Sequence, residues 1–294
     1  MTERERVRRE HNELWQSATP ALTPGVVGVD AGMTLTKVAR ASAGGIALAW
    51  YETNDERAGA RIAAEVESAS CVGVTGALLG AVHDGERCVR VQEIDAAARG
   101  VLALMESDGR AGSDGFVMAL LGTGTAFAAV RGENVTHLGG TPLGGGSFAG
   151  IARRVDASLS YAGMIAEAER GNRRHVDAMI SDIYPEGIGR VCPDLTAAHL
   201  ARSRDGSLAD FLAGLLNLHG ENIAQIAASR ALIAGLRRVV LTGGFAHSNP
   251  ELIASMTATA ALFGVTTELA PAPGFAGAIG AALVAAENTP VSAM

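Results

Sequence analysis

Glycine is concentrated in three short loops, and their placement limits what this chain can fold into more than any other feature. The densest stretch reads Gly122-Thr-Gly-Thr-Ala126, a short polar hairpin, then Leu138-Gly-Gly-Thr-Pro-Leu-Gly-Gly-Gly-Ser147, which leads into an apolar, helix-like segment. An earlier loop reads Val29-Asp30-Ala-Gly-Met-Thr34-Leu-Thr-Lys37, and a later one Leu241-Thr-Gly-Gly-Phe245. Glycine is used this densely where backbone N–H groups must approach a ligand with no Cβ in the way. Gly144, Gly145 and Gly146, opening a helix, would offer unpaired N–H groups and the positive end of the helix dipole, both suited to phosphate. Each loop follows a strand-like apolar run, a pattern that points to an ATP-binding enzyme.

Bulk properties narrow the partners. The chain has 294 residues and a formal charge of −7, so nucleic acid and anionic membranes are poor electrostatic partners. An anionic ligand such as ATP must then bind through local dipoles, a lysine and a metal ion. Cys71, Cys88 and Cys192 are odd in number and far apart, with no CxxC or Cys/His spacing, which argues against a disulfide framework or a zinc site. Met1–Trp15 is charged and lacks an apolar signal core, and no apolar run reaches membrane-spanning length. The expected compartment is therefore the cytoplasm, with no membrane partner.

Along the chain, residues 1–24 read as a charged N-terminal extension, helical or loose. Val26–Asp30, Thr34–Ala41 and Ile46–Glu52 read as three strands, Ala58–Ala69 as a helix, Cys71–Thr75 as a buried strand and Ile94–Glu106 as a helix. The pattern then recurs. Phe116–Leu121, Ala126–Arg131 and Val135–Leu138 read as strands, and Phe148–Ala157, Ala162–Arg170 and Leu208–Leu236 as helical. Val239–Thr242, Pro250–Phe263, Thr266–Leu269 and Phe275–Glu287 follow as strand, helix, strand and helix. Asp194 and Thr196 read as the N-cap of a further helix over Ala197–Ser203.

Two successive β-β-β-α-β-α blocks suggest an internal duplication: an N-terminal lobe over 25–112 and a C-terminal lobe over 113–294. That organisation resembles the actin/sugar-kinase/Hsp70 superfamily, an α/β fold of two lobes with nucleotide in the cleft between them. A Rossmann loop would lead from strand to helix, whereas Thr34–Ala41 continues as a strand, and no GxxxxGK[ST] motif occurs.

From Gly25 to Ala285 the chain resembles the type II pantothenate kinases. The matching segments are Gly28-Val-Asp-Ala-Gly-Met-Thr-Leu-Thr-Lys37, Glu93-Ile-Asp-Ala-Ala97, Gly122-Thr-Gly-Thr125 and Gly139-Gly-Thr-Pro-Leu-Gly-Gly-Gly146. Asp182-Ile-Tyr184, Asp194-Leu-Thr-Ala-Ala198 and Gly274-Phe-Ala-Gly-Ala-Ile-Gly-Ala281 follow in order. The resemblance implies transfer of the γ-phosphoryl group of ATP to the primary hydroxyl of pantothenate, the first step of coenzyme A biosynthesis. It also implies a homodimer.

The expected roles follow. Asp30 would hold Mg²⁺ against the β- and γ-phosphates, Lys37 would neutralise phosphate charge, and Thr34 with Gly32 would contact phosphate. Glu93, the Glu of the family's E-x-D block, would act as general base. Gly122, Thr123, Gly124 and Thr125, with Gly144, Gly145, Gly146 and Ser147, would cradle phosphates from the second lobe. Gly243 and Gly244 would pass near the adenosine.

Two departures fall on the acceptor side, expected at Thr123, Ala126 and His137. Ala126 stands where the family hairpin usually carries a serine, and His137 where it usually carries an arginine. Arginine offers a permanent charge and a fork of donors; histidine offers at most two donors and is mostly neutral near pH 7. The runner-up reading is accordingly a kinase of the same fold acting on another small-molecule hydroxyl, pantetheine-like or sugar-like. A nucleotide-binding regulatory pseudokinase is a further alternative, against which Asp30, Lys37 and Glu93 together speak.

Overall fold

The structure, a computed structural model, describes residues 12–15 and 20–288, apart from 43–44, 54, 56, 78–86, 111, 113, 190 and 248. Its strands are β1 (Asn12–Trp15), β2 (Val26–Ala31), β3 (Leu35–Ser42), β4 (Gly45–Glu52), β5 (Cys71–Thr75), β6 (Cys88–Arg90), β7 (Phe116–Leu121), β8 (Thr125–Arg131), β9 (Asn134–Thr141), β10 (Ala178–Met179), β11 (Thr196–Ala198), β12 (Arg238–Thr242) and β13 (Thr266–Leu269). The helices are α1 (Ala58–Glu67), α2 (Glu93–Ser107), α3 (Gly145–Val155), α4 (Tyr161–Ala168), α5 (Leu208–Ile233), α6 (Pro250–Leu262) and α7 (Ala276–Glu287).

The duplication is written in the sheets. The first runs β1-β4-β3-β2-β5-β6 and the second β13-β12-β7-β8-β9. Leaving out β1, each half starts with an antiparallel three-strand meander and adds two parallel strands beside its first strand. The central strands read as near-continuous apolar runs, as strands covered on both faces must: all five residues of β5 are buried, as are Val117, Met118, Val239 and Leu241.

Five layers result. α1 covers the outer face of the first sheet over Val27, Val29, Val38 and Val74. α2 and α7 lie between the sheets, in a core shared by Val26, Leu48, Leu104, Met118, Val240 and Ile279. Helices α3 to α6 cover the second sheet's other face, where Phe127, Phe148, Met164, Leu215 and Met256 are fully or almost fully buried.

The central helix pair crosses backbone to backbone. A Cβ on Gly100 of α2 would lie 1.9 Å from the Ala276 carbonyl oxygen, and one on Gly280 of α7 would lie 1.7 Å from that of Ala96. The contact is reciprocal, Ala-x-x-x-Gly against Ala-x-x-x-Gly, as two repeats related by an approximate two-fold require. α7 also presses on the first sheet, where a Cβ on Gly28 or Gly73 would meet the Ala278 or Ala281 carbonyl at 1.8 or 1.9 Å.

Two local expectations change and one strand is new. Within the segment read as a helical or loose extension, Asn12–Trp15 instead pairs antiparallel with β4 as an edge strand. The short strand β6, with no clear periodicity in its three residues, escapes sequence reading. The predicted helix over Ala197–Ser203 is absent: Thr196–Ala198 pairs with Ala178–Met179, because the Thr196 hydroxyl is engaged elsewhere. It accepts from Arg173 (2.8 Å) and Asn217 (3.1 Å) and donates to the buried Glu221 carboxylate (2.9 Å), so it caps nothing. Among the described residues no helix is long and apolar enough to cross a membrane.

Candidate active site

The duplication sets two hairpin turns in equivalent places, Gly32–Thr34 after β2 and Gly122–Gly124 after β7. Gly32 donates its N–H to the Asp30 carbonyl (3.1 Å), and Gly122 donates to Gly124 (2.8 Å). Among the described residues the N–H groups of Met33, Thr34, Thr123 and Gly124 have no protein partner, which leaves a pair of donors in each turn for a ligand.

The triple glycine works differently from the expectation. Gly145 N–H donates to the Gly122 carbonyl and Gly146 N–H to the Thr123 carbonyl, each at 2.9 Å, and Gly144 N–H goes to Ser147 Oγ at 3.0 Å. These donors are therefore engaged inside the protein and not unpaired. They dock the hairpin turn onto the start of α3. Side chains are excluded for the same reason: a Cβ on Gly144 or Gly146 would come within 2.7 and 2.4 Å of Thr123 atoms. Thr125 is buried, and its hydroxyl is given to the Leu143 carbonyl (2.8 Å), so it braces the same junction.

The third loop joins them. Gly243 adopts φ +100°, a left-handed conformation that favours glycine, and a Cβ there would strike the Leu121 carbonyl at 2.3 Å. Phe245 N–H also donates to Leu121 (2.9 Å), while Gly244 borders open space. Gly76, after β5, is the repeat's counterpart: its φ is +98°, and its missing Cβ would meet the Ala31 backbone at 2.6 Å. Sequence reading ended the strand at Thr75 and gave Gly76 no role. Its signal was its position after the fourth strand of the first repeat.

Asp30 and Lys37 face each other across β2 and β3, with Nζ 3.3 Å from Oδ2 and both side chains mostly shielded. The first turn of α7 lies against Asp30, for a Cβ on Gly277 would sit 3.0 Å from Oδ2. A helix N-terminus there favours the carboxylate. Lys37 is also opposite Trp50 on β4, whose ring meets His247 edge-on at 6.4 Å and Phe275 at 5.7 Å. The first sheet thereby touches the segment that follows Gly243–Gly244.

Glu93 is the first residue of α2, after Gln92 in extended conformation. Partial desolvation, and then the negative charge of Asp30, raise the proton affinity of its carboxyl, while Lys37 lowers it. The structure thus brings Asp30, Lys37 and Glu93 within electrostatic reach of one another, although 63 positions separate the first and last. Beside Glu93 opens a cavity of about 360 Å³, lined by Gln92 just before α2, by Glu93, Ile94 and Asp95 from α2, and by Val135 and His137 from β9. That volume falls at the small end of ordinary ligand sites, roughly 300–1,000 Å³. Ala126 falls on the face of β8 shared with Ala128 and Val130, which pack toward α2.

Mg²⁺ keeps several waters and is bound through one or two carboxylates plus phosphate oxygens, so it needs no all-protein cage. Asp30, shielded and next to the hairpin donors, fits that demand. Among the described residues no group of three or more His, Cys, Asp or Glu forms a fuller metal site.

One feature of the site gave no sequence signal. His219, on α5, is fully buried and bonds Ser147 Oγ through Nε2 at 2.8 Å, 72 residues away.

Comparison with known proteins bears on the family and the fold. The Fumble family model matches residues 44–284. A protein of Oceanobacillus iheyensis named type II pantothenate kinase is 26% identical over 261 residues, covering 87% of this chain and 98% of its own length. Another so named, from Staphylococcus saprophyticus, is 29% identical over 243 residues, 77% of this chain and 87% of the relative. Among solved structures, the activator of the 2-hydroxyisocaproyl-CoA dehydratase from Clostridium difficile, with bound ADPNP, superposes with a TM-score of 0.58 at 18% identity, covering 89% of this chain and 94% of that one.

Proposed function

The chain belongs to the Fumble family, that of the type II pantothenate kinases, and is an ATP-dependent small-molecule kinase on a two-lobed α/β actin-like fold; from that premise we propose that it phosphorylates the primary hydroxyl of pantothenate with Glu93 as general base. The observation that supports this most is the placement of Glu93 at the cavity between α2 and β9, within electrostatic reach of Asp30 and Lys37.

In this reading the donors at Met33–Thr34 and Thr123–Gly124 hold the ATP phosphates. Asp30 holds Mg²⁺, which when bound neutralises phosphate charge. Lys37 adds a second positive charge and keeps Asp30 oriented. The acceptor lies in the cavity with its hydroxyl at Glu93. The carboxylate takes the hydroxyl proton as the oxygen bonds to the γ-phosphorus and the bond to ADP breaks. His137 contacts the acceptor's far end, and Gly243–Gly244 border the nucleoside. A homodimer, as the family resemblance implies, and a cytoplasmic location complete the proposal.

A second reading has a specific observation behind it. The described cavity lining holds two carboxylates, Glu93 and Asp95, with neither lysine nor arginine, and His137 as its one basic side chain. Such a lining suits an uncharged acceptor of the pantetheine kind better than a carboxylate. The test is ADP release with MgATP and either acceptor, wild type beside Glu93→Gln. Turnover of pantothenate that falls about 10²–10⁴-fold in the variant is expected for loss of a general base. Turnover of pantetheine alone selects the second reading. Turnover undiminished in Glu93→Gln removes the base assignment.

A further inference from the structure

Buried histidines are expensive unless both ring nitrogens are satisfied. His219 lies in an apolar part of the second half's core, fully shielded, and satisfies both. Nδ1 is 2.8 Å from the Leu215 carbonyl, one helical turn back, and Nε2 is 2.8 Å from Ser147 Oγ. A carbonyl can only accept, so Nδ1 carries the proton. In the neutral ring Nε2 is then an acceptor, and Ser147 must donate its hydroxyl proton to it. Burial disfavours the imidazolium, against the pull of the Leu215 carbonyl, and so keeps the ring neutral.

The direction of that bond has a consequence for Ser147. Ser147 Oγ also lies 3.0 Å from the Gly144 carbonyl, but its single proton goes to Nε2, which has no other donor, and that carbonyl accepts from Phe148 N–H (3.0 Å); the Ser147 oxygen in turn accepts from Gly144 N–H (3.0 Å). Gly145 and Gly146, thus set, reach back to Gly122 and Thr123. That docking presents the free N–H groups of Thr123 and Gly124. The His219 ring also stands edge-on to Phe148 and to Phe245, each at 5.9 Å between centroids. Phe245 directly follows Gly243–Gly244. One imidazole therefore braces, from beneath, both glycine turns of the second half.

We infer that His219 is a positioning residue for nucleotide binding: through Ser147 it fixes the Gly144–Gly146 turn, and so the donors at Thr123 and Gly124, in the conformation that accepts phosphate. The inference rests on the reading of these turns as the ATP site. It assigns His219 no contact with the reacting atoms.

The test measures affinity for a non-hydrolysable ATP analogue with Mg²⁺ by titration calorimetry, and KM for MgATP and for the acceptor. The proteins are wild type, His219→Leu, His219→Gln, Ser147→Ala and the His219→Leu/Ser147→Ala double variant. Leucine keeps the apolar packing but offers no acceptor, whereas glutamine offers Oε1 to the Ser147 hydroxyl. His219→Leu should weaken nucleotide binding about tenfold and leave the acceptor KM within about twofold, since the cavity at Glu93 lies on other elements. His219→Gln should recover most of that loss, and the double variant should be no weaker than the worse single variant, because both remove one bond. A His219→Leu protein that melts lower but binds nucleotide as wild type does would show a merely structural role and overturn the inference. Additive losses in the double variant would also overturn it. Wild type that binds no nucleotide would instead sink the reading of the site, and the inference with it. If His219→Leu fails to fold, Ser147→Ala decides alone: unchanged nucleotide affinity refutes the inference, and selective loss supports it.

Discussion

Glu93 sits between charges of opposite sign, and its protonation is the residue-scale quantity most open to measurement. Desolvation and Asp30 outweigh Lys37, so its carboxyl binds a proton more tightly than an ordinary glutamate does. A general base must be deprotonated, so activity is lost as pH falls through this raised pKa. The acid limb of the kcat/KM profile should therefore lie above the ordinary glutamate value of about 4.3. Lys37→Met removes the charge that favours the carboxylate and should move the limb of its residual activity higher still. A limb at or below the ordinary value in wild type would contradict the assignment. The grouping of Asp30, Lys37 and Glu93 was foreshadowed by the motifs that carry them, and the structure brings the three within electrostatic reach of one another. The N–H groups of Gly144, Gly145 and Gly146 were expected to be unpaired and are not, since nothing in a linear sequence says whether an N–H is already bonded. The His219 bond was invisible for a related reason, being a long-range pairing between two residues that are each unremarkable in context.

Elements were read well where periodicity spoke. The strands of both meanders and the long helices emerge near their expected limits, while the 3-residue strand β6 and the edge strand β1 were lost because too few residues carry a pattern. The Thr196 segment failed because its N-cap signature competes with a buried polar network that the sequence does not reveal. The α2–α7 crossing is the element-scale feature with the sharpest mutational forecast. Gly280→Ala would place a methyl group 1.7 Å from a backbone carbonyl, and Gly100→Ala would do so at 1.9 Å, where no side-chain rotation can give relief. Each should cost about 1–3 kcal/mol or more, the range for forcing extra atoms into a close-packed core. Urea denaturation checks this, with Gly59→Ala as control: the site lies on α1 with open space around it and should be near neutral or mildly stabilising. Equal midpoints for Gly280→Ala and wild type would show that the crossing tolerates expansion.

At the scale of the whole molecule the halves meet at the catalytic end through Trp50, His247 and Phe275, which link the strand beside Lys37 to the residues after Gly243–Gly244. A nucleotide seated on those turns and closing the halves should alter the surroundings of Trp50. Its intrinsic emission should shift on adding MgATP, and Trp50→Phe, which leaves Trp15 as the remaining tryptophan, should abolish the shift. A shift retained in that variant would locate the movement elsewhere. The arrangement of α7 bears on a different matter, the order in which the chain leaves the ribosome. The strands of the first sheet emerge early, yet the helix that fills their inner face comes last, roughly 190 residues after β6, or about 10–40 s later at ~5–20 residues per second. Until then, Gly28 and Gly73 face a groove with no occupant. The N-terminal half is thus born waiting, and a chain ended before Ala276 should be caught by chaperones or aggregate. The inner face of the first repeat is completed by a helix that belongs to the second.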